Sequence, residues 1–318
     1  MEYVRLGKSG LKVSRISLGC WNFGSPTPRW GKPGKVTPED STRIIQAAVD
    51  KGINLLDTAN RYTGGEAEEI LGRAVRGMRD KVIIATKVHG EVGSGPNDKG
   101  QSRQHIMREV ESSLKRLGTD YIDLYQAHGV DWETPLEESL RAYDDLIRQG
   151  KVRYIGCSNF PAWVLTKALW VSDVNKLASF VSVQPNYSLV NRTVEKELQP
   201  LCVDQGIGMI LYSPIGGGIL TGKYENAVPE GSRGYDEPGV AEKARKAQAA
   251  VAQLKAIANE LGKTPAQISL NWIIHRPAVS SAIMGVSRLE QLEDNVGAVG
   301  WKLSDEHARQ LDEAFAEW

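Results

Sequence analysis

Short apolar runs alternate with amphipathic stretches along almost the whole chain, and this alternation limits the folds open to it. Ile16–Gly19, Ile53–Leu56, Val82–Thr86, Tyr121–Gln126, Val152–Gly156, Phe180–Gln184, Gly208–Tyr212 and Ala282–Met284 read as strands. Val82-Ile83-Ile84-Ala85 is apolar without a break, as a strand is when both faces are buried. Between the strands lie helical patterns over 38–51, Glu66–Val75, 103–117, 135–149, 161–171, 193–205, 240–261 and 265–275, with 288–296 and 304–316 closing the chain. In 103–117, for example, Ile106, Val110, Leu114 and Leu117 recur at helical spacing. Strand followed by helix, repeated to the end, predicts a (β/α)8 TIM barrel occupying residues 1–318 as a single domain. Ahead of it, Tyr3–Leu6 and Leu11–Val13 flank Gly7-Lys8-Ser9-Gly10 and read as a β-hairpin. A doubly wound open sheet is the competing architecture. It calls for a Gly-rich fingerprint after the first strand, and Gly19-Cys20-Trp21-Asn22-Phe23-Gly24 is not one.

Composition removes several function classes. Lys+Arg and Asp+Glu are 39 each, so no net charge draws the chain to nucleic acid or an anionic membrane. No apolar run approaches the roughly 20 residues that span a bilayer. Met1-Glu2-Tyr3-Val4-Arg5 has no secretory apolar region, and Cys20, Cys157 and Cys202 have neither disulfide-framework nor metal-site spacing. A soluble cytoplasmic protein without a metal is expected. Oligomeric state is left open.

Polar groups collect where the strands end. Asp57 closes the second, with Tyr62 in the following loop; Thr86-Lys87 closes the third; Gln126-Ala127-His128 closes the fourth. A barrel sets these ends side by side. Asp, Tyr, Lys and His facing one space suit acid–base chemistry on a carbonyl. A phenol is a weak acid, with a pKa of about 10, which a neighbouring ammonium would lower. Asp57 would balance the lysine, and His128 would hydrogen-bond the carbonyl oxygen. Each residue alone has a structural reading: Asp57 can cap a turn, Tyr62 can pack on the rim, Lys87 can be solvated and His128 can be a satisfied structural histidine. Segments 21–37, 88–102 and 213–239 all follow strands and would lie over the same face.

With these residues in place, the chain resembles the aldo-keto reductases. The resemblance rests on Leu56-Asp57-Thr58-Ala59 with Tyr62, Ala85-Thr86-Lys87, Asp123–His128 with Asp131 and Thr134–Glu138, and Gly156–Phe160. It continues through Val183–Ser188, Tyr212-Ser213-Pro214, Leu220–Tyr224 and Gly285–Asn295. It implies a barrel whose base is closed by the hairpin, and metal-free reduction of aldehydes and ketones by NAD(P)H. Tyr62 would be the general acid, tuned by Lys87 and Asp57, with His128 positioning the carbonyl. Ser158, Asn159 and Gln184 would hold the nicotinamide carboxamide, Tyr212 would stack on its ring, and Cys20, Trp21 and Asp57 would lie near it. Ser213, Pro214, Ile215, Gly216, Gly217, Lys223 and Arg233 would follow the pyrophosphate. Gly285, Ser287, Arg288, Gln291, Asp294 and Asn295 would take the adenosine end. A guanidinium at Arg288 suits the 2′-phosphate of NADPH, whereas Gln291 stands where many relatives carry arginine, so NADPH is expected and NADH is possible. Thr63 and Ala67 also depart from the usual Gly and Ser.

The substrate expected is a small carbonyl compound, with Trp21, Trp30, His89 and Trp132 as candidate pocket residues. The second functional class implied is a nucleotide-binding regulatory module similar to potassium-channel β subunits, which share this fold. Retention of His128 favours an enzyme.

Overall fold

The fold was taken from a computed structural model describing residues 1–25 and 34–318. Among the described residues, eight parallel strands close into a barrel: β3 (Ile16–Gly19), β4 (Leu55–Asp57), β5 (Ile83–Val88), β6 (Ile122–Ala127), β7 (Val152–Ser158), β8 (Ser182–Gln184), β9 (Gly208–Leu211) and β10 (Val279–Met284), with β10 returning to β3. Helices lie outside, including α1 (Pro38–Asp50), α2 (Glu66–Ala74), α3 (Arg103–Leu117), α4 (Leu136–Arg148) and α5 (Ala162–Asn175). Their ends carry the expected chemistry. Thr37 caps α1 ahead of Pro38, and Ser102 caps α3, which stops at Gly118 in the left-handed conformation.

The antiparallel hairpin β1 (Tyr3–Arg5) and β2 (Lys12–Ser14) seats against the strand starts. Its Leu6 and Val13 complete a buried cluster with Leu55, Ile83, Ala85, Leu124, Ile210 and Ile283. Arg15 donates to the Val279 carbonyl at 2.9 Å, and the Ser280 hydroxyl donates to the Arg5 carbonyl at 3.2 Å, pinning the hairpin to β10. The barrel base is therefore closed by apolar side chains.

Strand geometry then fixes what lies above. Side chains two apart on a strand share a face. Leu55 at the base puts Asp57 on the same face; Ala85 does so for Lys87, and Leu124 for Gln126. Lys87 and Gln126 are register partners, so they occupy one level. The alternate residues, such as Leu56, Ile84 and Tyr125, point outward into the larger core under the helices.

Three expected elements differ. The helix predicted over 193–205 begins as a separate 3-10 turn, Thr193–Glu195, before α6 (Leu198–Gln205). Pro200 explains this, because proline is tolerated only in the first turn of a helix. The stretch 240–261 divides at Ala247 into α8 (Pro238–Lys246) and α9 (Gln248–Glu260). The loop 213–239 is partly folded, with a 3-10 segment at Gly216–Thr221 and a short helix α7 (Arg233–Asp236). The chain then runs through α10 (Pro265–Ile274), β10, α11 (Leu289–Val296) and α12 (Asp305–Ala314). Among the described residues, no helix is long and apolar enough to cross a membrane.

Candidate active site

The four residues expected to act together do meet. Lys87 Nζ is fully buried and lies 2.5 Å from Asp57 Oδ1, 2.7 Å from the Thr58 carbonyl oxygen and 3.3 Å from Tyr62 Oη. The His128 and Tyr62 rings meet edge to face, with centroids 5.7 Å apart. Asp57 and Lys87 stand on the strands, while Tyr62 opens a 3-10 turn, Tyr62–Gly65, that returns the chain to α2. That turn is anchored by the Thr63 hydroxyl, which donates to the Phe23 carbonyl at 2.6 Å.

Electrostatics follow from burial. Desolvation disfavours the Lys87 ammonium, but the Asp57 carboxylate and the Tyr62 oxygen outweigh it, so its pKa is raised. Burial pushes the Tyr62 phenol up more than Lys87 pulls it down. This corrects the expectation that the lysine would lower the phenol below its ordinary value. Tyr62 therefore holds its proton firmly at neutral pH, with the Lys87 ammonium placed where it could stabilise a phenolate. His128 is held well below the ordinary histidine range by burial, then by the charges of Lys87, Arg61 and His89. It is a neutral imidazole at pH 7, able to donate one N–H.

Gln126 and Gln184 complete the first ring of contacts. Gln184 Nε2 donates to Asp57 Oδ2 at 2.8 Å, and Gln126 Nε2 approaches the same oxygen at 3.4 Å. Sequence reasoning passed over Gln126, although its position two residues before His128 on one strand face was a legible signal. Behind the strands, Glu68 accepts from the Thr86 hydroxyl at 2.5 Å and from Arg116 Nε at 2.6 Å. Glu109 accepts from Asn60 at 3.0 Å. These buried carboxylates brace both Thr86, which precedes Lys87, and the segment leading to Tyr62. No local pattern marks them, since their partners lie on other elements far along the chain.

The residues expected at the nicotinamide form one connected set. The Ser158 hydroxyl donates to the Gln184 carbonyl at 2.8 Å; Asn159 Nδ2 donates to the His128 carbonyl at 3.0 Å; Tyr212 Oη donates to Asn159 Oδ1 at 2.9 Å. Asn159 is exposed and holds a left-handed backbone, φ 59°. Cys20 is fully buried, its N–H donating to the Asp57 carbonyl at 2.8 Å, and burial followed by the Asp57 charge pushes its thiol up.

Beyond β9, Gly216, Gly217 and Gly218 all have positive φ, and a Cβ on Gly218 would come within 2.6 Å of Lys223 Cε. A side-chain-free backbone beside the exposed cation of Lys223 suits an extended phosphate group. Arg233 ties this segment together: it donates to Ser213 Oγ at 3.2 Å, pairs with Glu237 at 3.2 Å, and covers the Trp21 ring at 5.3 Å. Pro214 is buried and Ile215 half-buried beneath it. At the far end, the Ser287 N–H and hydroxyl both donate to Gln291 Oε1, at 2.8 and 3.1 Å. Arg288 is exposed and enters no ion pair among the described residues. Gly285 is exposed, Asn295 is buried, and Asp294 accepts from Thr264 Oγ1 and Gln267 Nε2, linking α11 to the N-terminus of α10. The residues present thus match a dinucleotide in their donors and cations.

Of the pocket candidates, His89 is half-buried with Nε2 3.3 Å from the Val130 carbonyl. Trp132 is 69 % exposed and stacks on Trp163 of α5, centroids 5.9 Å apart. Trp30 lies outside the described residues.

Comparison with known proteins agrees with this geometry. The Aldo/keto reductase family profile matches residues 15–316. An uncharacterised oxidoreductase of Bacillus subtilis, YrpG, is 39 % identical over 328 residues, covering 99 % of this chain and 96 % of its own. A probable voltage-gated potassium channel subunit beta of Arabidopsis thaliana is 39 % identical over 309 residues, 94 % of this chain and 91 % of its own. The L-glyceraldehyde 3-phosphate reductase of Escherichia coli O157:H7 is 34 % identical over 332 residues, 100 % of this chain and 93 % of its own. A barrel of this topology, a matched profile over nearly the whole length and relatives of this similarity lead to one conclusion: the chain belongs to the aldo/keto reductase family.

Proposed function

We propose that this chain reduces aldehydes and ketones to alcohols with NADPH, using Tyr62 as the proton donor and residues 1–318 as one unit. The observation that carries the reading is the buried ammonium of Lys87, set between Asp57 Oδ1 at 2.5 Å and Tyr62 Oη at 3.3 Å. When bound, the reduced nicotinamide supplies a hydride to the carbonyl carbon. Neutral His128 donates an N–H to the carbonyl oxygen and fixes its place. As negative charge builds on that oxygen, Tyr62 Oη transfers its proton to it. The phenolate left behind is stabilised by the ammonium of Lys87, whose charge Asp57 balances. Solvent returns the proton to Tyr62.

Ser158, Asn159 and Gln184 would hold the carboxamide, with Tyr212 on the ring and Cys20 and Trp21 beside it. Ser213, Pro214, Ile215, Gly216, Gly217, Lys223 and Arg233 would follow the pyrophosphate. Arg288, with Gly285, Ser287, Gln291, Asp294 and Asn295, would receive the adenosine end, and its uncommitted guanidinium supports NADPH over NADH. Trp21 and His89 would border the substrate. All three cysteines are free and buried, which suits a reducing, cytoplasmic compartment.

The similarity to a channel β subunit supports a second reading, a nucleotide-binding regulatory protein that senses rather than consumes its cofactor. A screen of NADPH oxidation over aldehydes, ketones, quinones and sugars separates the two. Turnover of any carbonyl class supports the enzyme, and tight NADPH binding with no turnover supports the regulator.

A further inference from the structure

Arg61 immediately precedes the proposed proton donor, yet it is exposed while Asp57, Lys87 and Gln126 are buried. Its side chain crosses Gly90, in the segment between β5 and α3. A Cβ on Gly90 would stand 2.2 Å from Arg61 Cδ and 3.0 Å from its Nη1, so the missing side chain is what lets the guanidinium lie there. His89 precedes Gly90, and His89 Nε2 lies 3.8 Å from where a Gly129 Cβ would stand, next to His128. Arg61, His89 and His128 therefore border one mouth.

Three acids near this mouth are engaged elsewhere: Asp57 accepts from Lys87 and Gln184, Glu66 from Ser25, and Asp131 from the Gln101 N–H and Thr134. Glu91, which follows Gly90, forms no ion pair with Arg61; among the described residues Arg61 enters none at all. Its charge acts on His128 in the same sense as Lys87 and His89. A guanidinium beside the proposed reacting groups, with no ion-pair partner among the described residues, is available to an anion brought from outside.

We infer that Arg61 is the anion-recognising residue of the substrate subsite, and that the preferred substrates are carbonyl compounds bearing a carboxylate or a phosphate. The inference rests on the reading of Tyr62 as proton donor. The planar guanidinium fork pairs with two oxygens of either anion. Because Arg61 is solvated when no anion is present, a neutral aldehyde loses that contact without leaving a buried charge unpaired. Discrimination should therefore be graded and act mainly through KM.

The test compares kcat/KM for succinic semialdehyde against butanal, and for glyceraldehyde 3-phosphate against glyceraldehyde, in the full chain and in Arg61→Gln and Arg61→Lys. The wild type should favour the anionic member of at least one pair, and which pair it is distinguishes carboxylate from phosphate. Arg61→Gln should lower that anionic-to-neutral ratio by about tenfold, a typical loss for a hydrogen bond to a charged group. Arg61→Lys should restore part of it, and added salt should lower the wild-type ratio. Equal loss for both members of a pair, an unchanged ratio, or a matching rise in KM for NADPH would overturn the subsite. Reduction of neutral aldehydes without an anionic preference removes this inference and leaves the Tyr62 reading standing. Failure to reduce any carbonyl removes both.

Discussion

Gln184 donates its side-chain N–H to Asp57 Oδ2 at 2.8 Å, joining residues 127 positions apart in the chain. The amide expected to hold the nicotinamide is thereby linked to the carboxylate that balances Lys87. The proposed cofactor side and the proposed proton-donor side share one hydrogen-bond path, from Ser158 through Gln184 to Asp57, Lys87 and Tyr62. Gln184→Leu should then lower kcat as well as raise KM for NADPH. Tyr212→Ala, which removes the hydrogen bond to Asn159 and the proposed stack on the nicotinamide but no member of that path, should act chiefly on cofactor KM. Steady-state kinetics on both variants measure the split, and a Gln184→Leu effect confined to KM would break the link.

The Asp57–Lys87 pair is buried, so its two halves should not be separable without cost. Asp57→Asn leaves the ammonium without its counter-charge and should destabilise the fold by about 3–5 kcal/mol in urea titrations at neutral pH. Asp57→Leu combined with Lys87→Met should recover much of that loss. Equal destabilisation in single and double variants would show that packing, not charge, sets the cost.

The directions of the pKa shifts fix a pH profile. Tyr62 is raised above its ordinary value of about 10, so the acid stays protonated across the neutral range and well into alkali. Reduction should hold level from pH 7 upward and fall only above about pH 10. His128 is lowered, so at pH below about 6.5 the unfolded chain binds a proton there that the folded chain does not. Its contribution to stability is present above that pH and is lost as the pH falls. Denaturant midpoints at pH 7.5 and pH 5.5 should differ more in the wild type than in His128→Gln.

Arg288 is exposed and uncommitted, at the N-cap position of α11. If it meets a 2′-phosphate, Arg288→Ala should raise KM for NADPH by about tenfold and leave KM for NADH nearly unchanged. Parallel changes for the two cofactors would place Arg288 elsewhere on the dinucleotide.

The barrel was legible because its strands and helices carry their periods openly, and because Leu55, Ala85 and Leu124 set which face Asp57, Lys87 and Gln126 share. The gathering of Asp57, Tyr62, Lys87 and His128 was legible for the same reason: strand ends collect at one rim. Other features depend on distant partners. Glu68 and Arg116 are 48 residues apart on different helices, so no local pattern pairs them. The sign of the Tyr62 shift was misread because adjacency to Lys87 was visible in the topology while the depth of burial was not. Arg61 drew no notice because a lone arginine in a loop carries no signal until Gly90 is seen beneath it.

The most direct measurement is NADPH oxidation by Tyr62→Phe with an aldehyde the wild type accepts, alongside quenching of protein fluorescence by NADPH. The account predicts that kcat falls by at least about 10²-fold while quenching titrates as in the wild type. Turnover retained near the wild-type rate, with cofactor binding intact, would remove Tyr62 from the proton-donating role and contradict the account.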